Sequence, residues 1–453
     1  YDRKNRILTR NTIHYTLSVN PNKVENKYEL SKLISDKTGS PIEKYLNKLN
    51  SKSNFEYLER NIQKETLGSI ETASYRGLKI ERNYRRYYPH NEVAAQILGF
   101  TNFDDVGISG IEKDFNKYLK GTEGWILKTK GWSGKIQHKS GMPLKNPVSG
   151  HNIQLTIDLE YQSILEEELL KRQLETTANS ATGIIMDPQT GEILAMASIP
   201  SFNNNSFSNS NPNSHRIRSI TDQFEPGSTF KVVSLLSVLK NNQIALSDEF
   251  NCENGEYQYY TIPIRDHEEY GMLTTSQIIH HSSNIGIIKM IETVGPKTLY
   301  DISRDFGFGS KTGICLRGEI AGKLNPYMEW SSVSLGQIAM GHEIGVTALQ
   351  LATAYAAIAN GGYLVKPLLV KQIIDQNNNI VYSEKPTIIR QIANENTMKD
   401  IREILRGVIT NGTGKNADIL GWKIAGKTGT AQKWKNGKYS DDLFISNFVG
   451  FFP

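Results

Sequence analysis

Apolar positions are spread unevenly along the chain. In the first 150 residues they are diluted by Lys and Asn, so this part is expected to be polar and irregular. Between Asn20 and Lys64 the pattern predicts only short, weakly amphipathic helices. Two denser stretches follow, Tyr84–Phe100 (YRRYYPHNEVAAQILGF) and Gly107–Gly124 (GISGIEKDFNKYLKGTEG). The Gly and Pro of Gly141–Gly150 (GMPLKNPVSG) then predict an inter-domain linker.

From His151 the character changes. Ile153, Leu155 and Ile157 alternate with polar residues and predict a strand. Asp158 can N-cap a helix on which Tyr161, Ile164, Leu165 and Leu169 recur at helical spacing. Thr182–Ser198 predicts a hairpin that turns at Asp187–Gly191 (DPQTG). The Asn/Ser-rich run Phe202–Asn213 is expected to be a plain surface loop. Phe230–Leu239 is apolar on nearly every side, which predicts a helix buried all round. Thr347–Asn360 predicts another helix, with a capping box from Thr347 to Gln350 and a stop at Gly361. Trp422–Gln432 and Leu443–Phe452 predict two strands, with Asn436-Gly437 as the hairpin signal between them. Asp442–Pro453, rich in Phe, Ile and Val, predicts a buried strand, so the chain is expected to continue beyond Pro453.

Composition narrows the class. The 453 residues allow about two to four domains. With 38% hydrophobic and 22% charged residues, a collagen-like, coiled-coil or wholly disordered chain is excluded. The net charge of +5 is compatible with an anionic surface nearby but too small to argue for nucleic acid. Cys252 and Cys315 have no CxxC spacing, which excludes a disulfide framework or a structural zinc site. No run approaches the ~18 apolar residues of a membrane span. The opening Tyr1-Asp2-Arg3, without an initiator Met, is expected to be a boundary inside a longer chain.

Three short motifs carry chemistry. In Glu225–Lys231 (EPGSTFK), Pro and Gly break the chain and put Ser228 at a helix start, where free N–H groups stabilise an anion. Lys231 lies at i+3, on the same face. Its amine can activate the Ser228 hydroxyl if burial or a second cation lowers its pKa, and a three-unit shift costs about 4 kcal/mol. In Ser282-Ser283-Asn284, Ser282 could relay a proton and Asn284 could hold a substrate amide. In Lys427-Thr428-Gly429-Thr430, the lysine adds a second charge and Gly429 lets a substrate lie close to the strand. The Thr428 and Thr430 hydroxyls can bind a carboxylate.

Each motif has an innocent double. Ser237–Lys240 repeats the first, Ser18–Asn20 and Ser201–Asn203 the second, and Lys311-Thr312-Gly313 the third. Only the set is distinctive, with its members on a helix start, a loop and a strand. That set resembles the S-x-x-K, S-x-N, K-T-G signature of penicillin-binding proteins and serine β-lactamases.

Over nearly its whole length the chain resembles a class B penicillin-binding protein. Tyr1-Asp2-Arg3 with Leu8, Arg86–Gly99 and Gly110-Ile111-Glu112 are similar to motifs of that family's pedestal. Phe306–Gly309, Gly318-Glu319 and Gly345–Thr347 resemble its division-type branch. The resemblance implies a two-domain α/β (α+β) fold. An irregular N-terminal pedestal spans residues 1–150. A transpeptidase domain, residues 151–453, has a central antiparallel sheet flanked by helices and stops short of the family's last strand and helix. It also implies peptidoglycan stem peptides as substrate and β-lactam antibiotics as inhibitors, with no metal or organic cofactor. Ser228, Lys231, Ser282, Asn284 and Lys427 would be catalytic; Thr428, Gly429 and Thr430 would bind substrate. The implied partners are a SEDS-family glycan polymerase and other divisome membrane proteins. A single-pass anchor before residue 1 would hold the catalytic domain outside the cytoplasm. The alternatives are an elongation-type transpeptidase and a β-lactam sensor or hydrolase; the lack of a deacylating Glu motif and the presence of a pedestal weigh against the latter.

Other features have blander readings. Gly412-Thr413-Gly414-Lys415 lacks the full phosphate-loop pattern and is expected to be an ordinary turn. Arg85-Arg86-Tyr87-Tyr88 is expected to be a solvated face or a domain contact.

Overall fold

The fold is taken from a computed structural model, which describes residues 1–72, 75–127, 129–130, 136–137, 143–240, 244–435 and 438–453. The expected linker residues Gly141-Met142 and the turn Asn436-Gly437 lie outside them.

The N-terminal part is ordered, not irregular. Strand β1 (Arg10–Val19) leads to helices α1 (Lys27–Thr38) and α2 (Ile42–Leu49), then β2 (Glu56–Ile62) and β3 (Leu78–Tyr87). The antiparallel sheet has the order β2-β1-β3. Its composition is polar because the apolar cluster occupies one face, where Leu17, Val19, Leu58 and Ile62 pack on Leu30, Ile34, Tyr45 and Leu49 of the two helices. The other face of β1 buries the polar His14, Thr16 and Ser18. The helices expected between Asn20 and Lys64 are present, but Glu56–Ile62 is a strand, outside the helical expectation.

The expected linker is paired, not free. Leu144 and Lys145 run antiparallel to Ile126 and Trp125, and Val148 bridges to Thr122. The expected surface loop after Phe202 is a docked segment. Phe207 stacks on Phe100 at 4.0 Å between centroids, and Asn204 Nδ2 donates to the carbonyls of Ala95 (3.0 Å) and Gly99 (2.6 Å). Arg85 and Arg86 also make inward contacts, to Asn205 O and Glu112 Oε1. At the start of the chain, Arg6 bridges Asp2 (2.6 Å) and Asp158 (2.7 Å), clasping the first residues to the C-terminal part.

That part begins with β4 (Asn152–Leu155) and α3 (Leu159–Glu175), whose N-cap Asp158 accepts from Glu160 N. Strands β5 (Ala181–Met186) and β6 (Ile193–Ile199) form the expected hairpin. The expected apolar stripe of α3 does not all face inward, since Tyr161 and Ile164 are exposed. Gln162 is turned in instead, and exchanges two hydrogen bonds with the backbone of Met196 on β6. A buried amide there meets the strand's polar groups, which no leucine could do.

The core is built around α4 (Lys231–Leu239), packed by α5 (Thr275–His281), α6 (Asn284–Glu292), α7 (Ala348–Ala359) and α8 (Glu395–Asn411). Helix α7 has the predicted capping box. Strand β7 (Val370–Ile374) pairs with β4, and β8 (Ala425–Lys435) pairs with β9 (Lys438–Phe451). The antiparallel sheet flanked by helices is thus present as separate ladders. Strand β9 is not buried as expected: Phe444 and Phe448 point to solvent, while Val449 and Phe451 face the core. Side chains alternate across a strand, so an all-apolar run is no proof of two covered faces. Among the described residues, no helix is long and apolar enough to cross a membrane.

Candidate active site

Ser228 lies in a single 3-10 turn, Gly227–Phe230, that runs straight into α4. The turn needs glycine. Gly227 has φ +57°, and a Cβ there would sit 2.8 Å from Thr430 O on β8. The strand reciprocates: a Cβ on Gly429 would lie 2.7 Å from Pro226 O. Tyr355 OH donates to Thr229 O (2.9 Å), and Asn447 Nδ2 donates to Pro226 O (3.2 Å). The Gly227–Phe230 turn is therefore fixed against Gly429 and Thr430, and Ser228 within it is half-buried.

Ser282 and Asn284 come from the junction of α5 and α6. Ser282 holds φ +61°, a left-handed conformation that is rare for a residue with a Cβ and tends to mark functional positions. Asp266 holds the junction. Its carboxylate accepts from Asn284 N (2.5 Å), Ile285 N (3.1 Å) and Ser283 Oγ (2.5 Å). Lys231 is fully buried, and its Nζ donates to Ser282 O (2.5 Å) and Asn284 Oδ1 (2.7 Å), with Ser282 Oγ at 3.2 Å. Burial, then the charge of Lys427, pull its pKa well below the usual lysine value, against a weaker opposite pull from Asp266. A neutral amine has two N–H donors and one lone pair. The two carbonyl oxygens take the donors, which leaves the lone pair for a hydroxyl.

Lys427 is 1% exposed, and its Nζ donates to Thr428 O (3.3 Å). Burial lowers its pKa to about 7. Gly429 and Thr430 on the same strand meet the turn that opens α4, so Lys427 and Lys231 share one neighbourhood. Thr428 Oγ1 lies 2.8 Å from Thr413 Oγ1, while Thr430 is exposed. The turn at 412–415 is therefore no ordinary turn. Thr413 N donates to His280 O at the end of α5, so this turn joins the Ser282 junction to β8.

All eight predicted residues thus lie on the Gly227–Phe230 turn, the first residue of α4, the α5–α6 junction and β8. The doubles do not. Ser237 donates to Val233 O within its own helix, Lys240 pairs with Asp305, and Thr312 is bound by Glu319. Sequence reasoning missed Asp266, Thr413, Tyr355 and Asn447. Asn447 had a signal, since it is the cross-strand partner of Gly429. Thr413 lies in the Gly412–Lys415 segment expected to be an ordinary turn, and Asp266 and Tyr355 carry no motif of their own.

The chain matches known protein families over most of its length. The family described as "Penicillin binding protein transpeptidase domain" matches residues 181–453, and "Penicillin-binding Protein dimerisation domain" matches residues 1–155. Stage V sporulation protein D of Bacillus subtilis is 31% identical, over 100% of this chain and 71% of that protein. Peptidoglycan D,D-transpeptidase FtsI of Escherichia coli is 31% identical, over 89% of this chain and 66% of its own. Penicillin binding protein 3 of Mycobacterium tuberculosis, solved in complex with aztreonam, superposes with a TM-score of 0.74 at 28% identity, covering 82% of each chain. The chain belongs to the class B penicillin-binding proteins.

Proposed function

We propose that this chain is a serine peptidoglycan D,D-transpeptidase that crosslinks stem peptides during septal wall synthesis and is acylated by β-lactams. The observation that carries this reading is the pair of buried lysines, Lys231 and Lys427, beside Ser282, Asn284 and the turn bearing Ser228. Neither amine has an ion pair among the described residues; such burial is costly, and function is its natural reason.

In this reading Lys231 takes the Ser228 proton as Oγ attacks the carbonyl of a terminal D-Ala-D-Ala bond. The Oγ–C bond forms and the carbonyl π pair moves to oxygen, which meets the N–H groups of Ser228 and Thr430. The C–N bond then breaks, and the proton passes from Lys231 through Ser282 to the departing D-Ala amine. Lys427, Thr428 and Thr430 hold the donor's carboxylate, Gly429 admits the peptide along β8, and Asn284 binds its amide. An amine from a second stem peptide attacks the acyl-enzyme and releases Ser228, closing the crosslink. Residues 1–150 act as the pedestal and 151–453 as the transpeptidase domain, anchored by a membrane segment before residue 1 and working outside the cytoplasm with a SEDS-family polymerase and divisome proteins.

A fluorescent penicillin tests the reading. The wild type is expected to form a long-lived covalent adduct. Ser228→Ala is expected to form none while its melting temperature changes little. Labelling that persists in Ser228→Ala, or an adduct that clears within seconds, would overturn it.

A further inference from the structure

Glu225 opens the nucleophile motif, yet the acyl-transfer steps above give it no part. Its segment runs beside residues 341–346. Phe224 and Val346 exchange two backbone hydrogen bonds, both 2.9 Å, and Gly227 N donates to Gly341 O at 3.1 Å. Between these two rails stands the half-buried Glu225 carboxylate. It accepts from Glu343 N (3.0 Å), pairs with His342 Nδ1 (3.0 Å) and accepts from Tyr439 OH (3.1 Å). Tyr439 belongs to a third element, β9, and its ring meets the His342 ring edge-on at 5.5 Å. Glu343 holds φ +59° while offering its N–H to this carboxylate, so a strained residue is held in place by the contact.

We propose that Glu225 is a positioning residue for acyl transfer, holding the Ser228 turn, the turn at 341–343 and the β9 strand in one rigid frame around the cleft. This rests on the transpeptidase reading. An ordinary surface ion pair would do little. Here one carboxylate gathers three donors from two separate elements, one of them a backbone N–H, three residues before the nucleophile. Small displacements of a nucleophile cost rate steeply, so loosening the frame slows the covalent step more than it weakens binding.

The test is a labelling time course over a range of fluorescent penicillin concentrations, which separates pre-covalent affinity from the acylation rate constant. Glu225→Ala is expected to lower the acylation rate constant about tenfold and leave pre-covalent affinity within about twofold. Glu225→Gln keeps an oxygen acceptor in the same place and is expected to recover most of the rate. Tyr439→Phe, which removes one donor from the frame, is expected to cost about two- to threefold and carries the test should Glu225→Ala not fold. A folded Glu225→Ala that acylates at the wild-type rate, a Tyr439→Phe at the wild-type rate, or a Glu225→Gln as slow as the alanine variant overturns the proposal. A wild-type chain that takes no label defeats the transpeptidase reading, and this proposal with it.

Discussion

The tripeptide Lys-Thr-Gly occurs twice, at 427–429 and 311–313, and the two copies have opposite surroundings. At the second copy Lys311 is exposed, and the Glu319 carboxylate accepts from Thr312 N and Thr312 Oγ1 (both 2.6 Å) and from Gly313 N (3.2 Å). That loop is complete without a ligand. At the first copy Lys427 is buried with a backbone carbonyl as hydrogen-bond partner, and Thr428 meets another hydroxyl, not a carboxylate. The difference lies in what meets the tripeptide among the described residues: a buried carboxylate at 311–313, but only another hydroxyl and a backbone carbonyl at 427–429.

Lys427→Met breaks the contrast most directly. Acylation by a penicillin is expected to fall by about a thousandfold, because the carboxylate anchor and the second cation vanish together. Stability is expected to move the other way. The folded pKa is near 7 and the unfolded one near 10.5, so between these values the unfolded chain binds the extra proton and wild-type stability rises with pH. At pH 7 and below the buried ammonium costs the fold a few kcal/mol, which methionine returns. Thermal melts at pH 7 and pH 9.5 check this: the variant should lead clearly at pH 7 and by less at pH 9.5. An equal lead at both would mean that Lys427 titrates normally.

Thr413→Val sharpens the same contrast on its hydroxyl side. It removes the partner of Thr428 Oγ1, and the acylation rate constant is expected to fall about three- to tenfold with little change in melting temperature. Thr413→Ser should restore the rate. Equal rates in all three proteins would mean that the 2.8 Å contact does no positioning.

How much of this was legible beforehand follows the same line. The buried helix Phe230–Leu239, the hairpin at 182–198 and the Thr347 capping box could be read because local pattern and tertiary role coincide there. So could Ser228, Lys231, Ser282, Asn284 and Lys427–Thr430, each within a motif expected on a helix start, a loop or a strand. Asp266 and Thr413 were not. Their roles arise from distant segments packing together, and a lone Asp or Thr has no periodicity to expose it. The pedestal misled for a different reason. A sheet that buries apolar side chains on one face and polar ones such as His14, Thr16 and Ser18 on the other needs few apolar residues, so its composition reads as irregular. Gln162 carries no sequence signal, since a buried amide that satisfies strand backbone looks like a surface residue until its partner Met196 is known.

Glu319→Ala tests the completed copy. Glu319 is buried, and its loss leaves Thr312 and Gly313 donors without their acceptor, so stability is expected to drop by about 1–3 kcal/mol. Labelling by a penicillin should keep its wild-type rate, measured on the folded protein. A slowed rate would mean that the loop at 311–313 reaches the catalytic cleft.

Glu166 carries the reverse charge and the smallest effect. It stands on α3, where its Oε1 accepts from Gln162 Nε2 (2.7 Å) and from Ala94 N (2.9 Å), a residue of the N-terminal part held at φ +56°. Burial raises its pKa from 4.5 to about 7. The folded state therefore binds a proton that the unfolded chain has released between those values, and stability falls as pH rises from 4.5 to 7. Glu166→Gln keeps the oxygen that receives Ala94 N but cannot ionise. The variant is expected to match the wild type near pH 5 and to melt higher at pH 7.5 by a few degrees. The two parts of the chain meet at this contact, so the gain should appear as a later first transition if they unfold in separate steps. Parallel melting curves for the two proteins across that pH range would show that Glu166 ionises normally against Ala94, and that buried charge at this junction, unlike that at Lys427, carries no cost.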